Sequence, residues 1–190
     1  MREIMQQAFP QDLPASSRRR GVTSPSPERY HVAMPNQVSR ADREDLFLYF
    51  NVLALEETTN LDPSTVAIYC SVTLLNVAIM YHMEGISQGR MRFMEQARKM
   101  YEASLHMLNS QDNILENDTV LLVQLAASNN LAHIELEKGM VDVANERLSH
   151  LYALLQATKS RALGIISCTE LRGLFLNSSL QRKSCAASAA

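Results

Sequence analysis

Tryptophan is absent, cysteine occurs three times and glycine six times in 190 residues, and each scarcity removes a class of protein. Cys70, Cys168 and Cys185 are an odd number, and none sits in a CxxC or Cys/His ligand spacing, which argues against a disulfide framework and a structural zinc. The glycines are too scattered to cradle a phosphate. No GxSxG, HExxH, P-loop or dinucleotide fingerprint occurs, so no cofactor and no catalytic constellation are expected. Charge of one sign is also lacking: the net charge of −2 gives no basic excess for nucleic acid. The apolar stretch 66–83 is broken by Ser71, Thr73, Asn76 and His82, so no membrane-spanning helix is expected. The first thirty residues lack the apolar core of a signal peptide, although Arg18, Arg19 and Arg20 beside Ser16 and Ser17 carry a faint targeting pattern. A reducing cytoplasmic or nuclear setting is the expectation.

What is present is a globular balance, 46% apolar against 20% charged residues, enough for one domain. Five of the six prolines fall within residues 1–39, which read as a disordered or extended leader. Ser24 and Ser26, each before a proline, are candidate modification sites in it. Residues 28–39 alternate through Tyr30, Val32 and Met34 until Pro35, as an edge strand or extended lead-in would. Over 45–55 helix and strand compete. The run LFLYFNVLAL is β-rich at its start, but its length and the echo of Leu75-Asn76-Val77 in Phe50-Asn51-Val52 favour a helix, so 40–57 is taken as a helical cap.

The helices beyond it are better marked. Asp62 as N-cap and Pro63 as first residue open one from 63 to 85, with Val66, Tyr69, Cys70, Thr73, Val77, Met80 and Tyr81 as its apolar face. A second, 87–108, places Met91, Met94, Ala97, Met100, Tyr101, Ser104 and Leu105 on one stripe. Met80, Met91, Met94 and Met100 read as core, leaving Met83 and Met107 as the methionines to watch for adaptable contacts. After a polar loop, Asp118 is the expected cap of a third helix, through Leu121, Leu122, Leu125, Ser128, Asn129, Ala132 and Leu136 to Gly139. A fourth runs 141–158 on Val141, Ala144, Leu148, Leu151, Tyr152 and Leu155. Residues 162–180, interrupted by Gly164 and Gly173, predict one or two short closing helices, and 181–190 a flexible tail.

One decapeptide returns in degraded form: NVAIMYHMEG, residues 76–85, and NLAHIELEKG, residues 130–139, at an offset of 54. In the first unit Asn76, Val77, Ala78, Tyr81, Gly85, Ala97 and Tyr101 follow in order; in the second Asn130, Leu131, Ala132, Gly139, Ala144 and Leu148 do. The ordered set resembles the tetratricopeptide repeat, a 34-residue helical hairpin with a turn glycine and an Ala-x3-aromatic second helix. The fold this implies is all-α, antiparallel hairpins stacked as a short α-solenoid over 40–180, with units near 62–108 and 118–158 and capping segments 40–57 and 162–180. Ala78, Ala97, Ala132 and Ala144 would be its close-packing residues, Tyr81 and Tyr101 its aromatics, and Gly85 and Gly139 its turns. The pattern departs from the family where Glu135 replaces the usual Tyr. It departs again between Gly85 and Ala97, where eleven residues stand in place of the usual four, an excess of about two helical turns.

By that resemblance a groove is lined by Val72, Leu75, Asn76, Ile79, His82 and Met83 from the first unit. Ala126, Asn129, Asn130, His133 and Leu136 line it from the second. The partner-binding candidates are Asn76, Ile79, His82, Met83, Asn129, Asn130 and His133. Asn76 and Asn130 match the family's groove asparagine, whose amide can hold a peptide backbone; the competing reading has them bridging packed helices. Leu75 and Asn129 stand where a clamp for acidic tails would need Lys. Glu102–His106 and Glu146–His150 read as solvated i,i+4 helix-surface pairs of a few tenths of a kcal/mol rather than as metal or acid–base groups. The expectation is a non-catalytic scaffold that binds a protein or peptide, with a self-associating homo-oligomeric domain as the alternative, an enzyme disfavoured and no metal site.

Overall fold

Asp62 opens the helical part of the chain: its carboxylate accepts from the Thr65 amide at 2.9 Å and from the Thr65 hydroxyl at 2.8 Å, with Pro63 in the first turn. The computed structural model describes residues 29–30, 46–55, 62–109 and 117–187. Among them are helices α1 (Pro63–Gln88), α2 (Met91–Asn109), α3 (Asp118–Glu137), α4 (Val141–Ala157), α5 (Lys159–Ile165) and α6 (Cys168–Ala187). Two short strands, β1 (Arg29–Tyr30) and β2 (Val52–Leu53), pair antiparallel. The rest of the expected leader, with Ser24 and Ser26, lies outside the described residues. The fold is mostly helical, and α6 carries helix through Ala187, seven residues into the segment expected to be a tail.

α1 packs on α2 and α3 on α4, α2 joins the two pairs, and α6 lies on α4. Short connections force antiparallel pairing within each hairpin. Gly89, at φ 62°, closes α1, and Gly139, at φ 74°, follows α3; L side chains rarely adopt either conformation. In both turns the amide that follows the glycine returns to a carbonyl five residues back, Arg90 to Gly85 at 3.0 Å and Met140 to Glu135 at 2.8 Å. Gly85 therefore is not the turn that the repeat motif assigns to it. It sits buried inside α1, where an added Cβ would lie 2.7 Å from Met94 Sδ, so its smallness lets α2 approach. The long spacing before Ala97 is absorbed as an extra turn of α1 beyond Gly85 and an early start of α2.

Other expectations shift by a residue or a face. Asn117, not Asp118, caps α3, accepting from the Thr119 amide at 2.9 Å and the Val120 amide at 3.2 Å. The face expected to be apolar in α1 is partly outside: Val66, Cys70 and Thr73 are exposed, and Ala67, Ser71, Val72, Leu75, Ala78, Ile79 and His82 are buried instead. Met91 and Val141 are exposed rather than core. α3 is covered nearly all round, which is why no single stripe describes it. Small residues at the α1–α2 contact permit an unusual polar pair there. Ser71 Oγ lies 2.9 Å from the Ser104 carbonyl and Ser104 Oγ donates to the Ser71 carbonyl at 2.8 Å.

The largest correction concerns residues 46–55. They are extended, with β2 inside them, and do not form the capping helix expected over 40–57. Their β-rich composition is matched by partners that only an extended chain can satisfy, and these decide the competition between helix and strand.

Candidate functional site

The inner face of α1, α3 and α6 holds the stretch 46–55. Tyr49, Asn51 and Leu53 are buried while their even-numbered neighbours are half-buried, the period-two pattern of a strand lying on a surface. An asparagine carboxamide presents a carbonyl and an N–H along one edge, as each residue of an extended chain does, so the two can pair bidentately. Three residues are held this way. Asn177 of α6 accepts from the Phe47 amide at 3.0 Å and donates to its carbonyl at 2.7 Å. Asn130 of α3 accepts from the Tyr49 amide at 2.9 Å and donates to its carbonyl at 2.8 Å. Asn76 of α1 does the same for Leu53 at 3.0 and 2.8 Å. Asn129 adds a second donor to the Phe47 carbonyl at 2.9 Å and accepts from Asn177 at 2.7 Å.

The segment thus crosses the face from α6 to α1, gripped along one edge by side chains that imitate a neighbouring strand. β1 pairs with it at Val52 and Leu53. Two side-chain contacts fix its register. The Phe47 ring fills the space left by Gly173, where an added Cβ would lie 2.2 Å from Cγ. Asn51 donates through Nδ2 to Glu170 Oε1 at 2.5 Å. The other carboxylate oxygen of Glu170 accepts the Ser167 amide at 2.7 Å, and the Glu170 amide donates to Ser167 Oγ at 3.2 Å. Ser167 and Glu170 therefore form a capping box that orients the carboxylate at the start of α6.

Behind the face runs a chain of polar groups. Asn130 Nδ2 also donates to the Tyr101 hydroxyl at 2.9 Å; that hydroxyl is 3.3 Å from His82 Nδ1, and His82 Nε2 is 3.1 Å from His133 Nδ1. Tyr101 and His82 are fully buried. Because the Tyr101 oxygen already accepts from Asn130, donor counting directs its O–H to His82 Nδ1, which leaves the proton of His82 on Nε2, donated to His133. Burial, then the charge of the neighbouring His133, holds the His82 pKa well below the usual histidine value. Burial likewise pushes the Tyr101 hydroxyl up. His82 and His133, both expected in the groove, instead meet each other behind it. His106 and His150 are exposed, and Glu102 pairs with Arg98 at 2.5 Å.

The candidates named from sequence separate into groups. Asn76, Asn129 and Asn130 come together on the extended segment; His82 and His133 form the polar chain behind it. Ile79 is buried core and Met83 is half-buried against that core. Asn177, Glu170, Gly173 and Asn51 were not among the candidates. Asn177 follows Leu174-Phe175-Leu176 much as Asn76 follows Thr73-Leu74-Leu75, so an asparagine after an apolar run was the available signal. Elsewhere, Glu135, buried on α3, takes two oxygens' worth of contact from Arg147 of α4, at 2.7 to 3.0 Å. It thus turns the departure from the motif's Tyr into an ion pair inside the second hairpin. Glu95 of α2 meets Lys138 at 2.6 Å, tying the two hairpin turns together.

Among the described residues no group of three or more His, Cys, Asp or Glu could hold a metal ion. An open cleft of about 340 Å³ lies on α4, α5 and α6, lined by residues that include Lys159, Leu163, Cys168 and Arg172, and it contains no acid and base facing each other. α1 has the length and mean hydropathy, 1.6 over its best window, of a membrane span, with 39% of that window buried in the fold. Its polar Ser71, Asn76 and His82 are all engaged by protein groups. Compared with known proteins, the chain matches no family model, no curated protein and no solved structure.

Proposed function

We propose that the chain is a non-catalytic helical-hairpin scaffold of the tetratricopeptide-like kind, whose inner face holds an extended peptide by its backbone. The stretch 46–55 is its resident occupant. The observation that carries this reading is the bidentate pairing of Asn177, Asn130 and Asn76 with the amide and carbonyl of Phe47, Tyr49 and Leu53. A grip on the main chain serves any segment that can extend across the face, and side-chain spaces between the clamps then select among segments. The role is binding because the groups that hold the segment are carboxamides paired with its main chain.

The test is occupancy from outside. Full-length chain with Tyr49→Ser and Leu53→Ser, which weaken the resident segment, is titrated into a fluorescent peptide of residues 46–55 flanked by lysines. Saturable binding is expected, and Asn130→Ala in the same background should abolish it. Binding of equal strength to the Asn130→Ala chain would remove the groove from the account. A second reading, self-association, draws on Leu163 and Leu176, which are 53% and 56% exposed at the α5–α6 end. Sedimentation at micromolar concentration decides it, since a strict monomer excludes it.

A further inference from the structure

The asparagine clamps read main chain and are blind to sequence, yet two places on the same face read side chains. Gly173 leaves a notch that a planar ring fills, and the Glu170 carboxylate, 8% exposed and oriented by its Ser167 cap, accepts from the amide of Asn51. Tyr49 and Leu53, between and beyond them, are buried to 1% and 2%. The occupant therefore satisfies a spaced pattern: ring, then aromatic, then side-chain N–H donor, then aliphatic, on alternate residues. We infer that this face selects its ligand by that pattern, with Glu170 as the specificity-determining residue. A partner protein presenting an extended Phe-x-Tyr-x-Asn-x-Leu type of segment competes with residues 46–55 for it.

The inference rests on the peptide-holding reading and adds the partner's chemistry to it. The resident segment is itself the argument for the pattern, since it is the one sequence seen to fit all four places. Glu170 is a discriminating position because it meets the occupant through a hydrogen bond between two side chains. An acidic side chain at the fifth position of the motif would set a second carboxylate against a buried one. It would also leave both without the N–H that Asn51 supplies. A partner with Asn or Gln there keeps the hydrogen bond; one with Asp or Glu is rejected.

Two peptides decide the matter, the lysine-flanked 46–55 sequence and the same peptide with Asn51→Asp, each titrated against the chain carrying Tyr49→Ser and Leu53→Ser and against its Glu170→Gln variant. The Asp peptide should bind at least about tenfold more weakly than the parent to the Glu170 chain, and Glu170→Gln should recover most of that loss, because a glutamine amide can donate to the aspartate. If parent and Asp peptides bind alike, selection at Glu170 is wrong while the groove survives. If neither binds a chain that remains helical and melts cooperatively, the groove reading itself fails. The intact chain gives an independent check that does not require the weakened background. Asn51→Asp should lower its urea midpoint, and adding Glu170→Gln should raise it again; additive losses overturn the inference.

Discussion

Replacing Asn130 with alanine should be the most costly single change on the inner face, and its size can be worked from the contacts. The side chain is fully buried and serves the Tyr49 amide, the Tyr49 carbonyl and the Tyr101 hydroxyl. Alanine removes all three bonds in a place water does not reach. Each orphaned group costs about 1–3 kcal/mol, so the loss should be about 3–5 kcal/mol after partial relaxation. That is a large share of a typical stability of about 5–15 kcal/mol. Asn76→Ala removes the same two bonds from Leu53, but Asn76 is half-buried and water can replace it, so about 1–2 kcal/mol is expected. Urea unfolding followed by circular dichroism gives both numbers, and hydrogen exchange at the Tyr49 amide gives the local effect. The reasoning fails if Asn76→Ala costs as much as Asn130→Ala, or if Tyr49 exchanges no faster in the Asn130 variant.

Three further outcomes are expected. His82 is held neutral in the fold well below its usual pKa, by burial and by His133. The unfolded chain therefore takes up the proton first, and stability should fall as pH drops below about 6.5, by up to about 1.4 kcal/mol per pH unit. The groups facing His82 are Tyr101 and His133, and thermal melts between pH 5 and 8 should show a shallower decline in His82→Gln. Gly173→Ala should destabilise by about 1–2 kcal/mol because its methyl meets the Phe47 ring. Gly164→Ala, in open space on α5, should be neutral or stabilising by up to about 1 kcal/mol; chemical denaturation of the pair reads the opposite signs. Arg147→Ala should cost about 2–4 kcal/mol by stranding the Glu135 carboxylate inside the second hairpin, measurable by the same unfolding curve and relieved in part by adding Glu135→Gln.

Helix positions were legible because capping and turn chemistry are local. Asp62 with Pro63, and Gly139, act within a turn of their own position, so sequence reveals them. Asn117 and Asp118 are both good caps, and only the backbone chooses between them. The face of α1 was misread for a different reason: the helix is apolar on several sides, and α2, α3 and β2 all pack on it, so its own periodicity does not single out the buried side. The asparagines were visible as polar residues inside apolar runs, and with them the chemistry of an amide holding a backbone. Their occupant was not, because Phe47 and Asn177 lie 130 residues apart and nothing in local spacing reports such a pairing. Gly173 and Glu170 fall under the same limit, since their roles exist only opposite Phe47 and Asn51.

The conformation of 46–55 follows from this arrangement. As a helix it would satisfy its own amides and take from Asn76, Asn129, Asn130 and Asn177 the main-chain groups that they pair with. Two of these, Asn129 and Asn130, are at most 1% exposed, so that alternative strands several buried donors and acceptors at about 1–3 kcal/mol each. Extended, the segment offers an amide and a carbonyl on the same edge at residues 47, 49 and 53, and the asparagines take them. The preference for strand therefore belongs to the helices that receive the segment as much as to its β-rich residues. It follows that removing the receiving amides should do more than weaken the contact. In a chain carrying Asn76→Ala, Asn130→Ala and Asn177→Ala together, the amides of Phe47, Tyr49 and Leu53 should lose protection as a set while α2 and α4 keep theirs. Hydrogen exchange resolved by residue measures this, and uniform loss across all helices would show instead that the segment and the helical body form one cooperative unit.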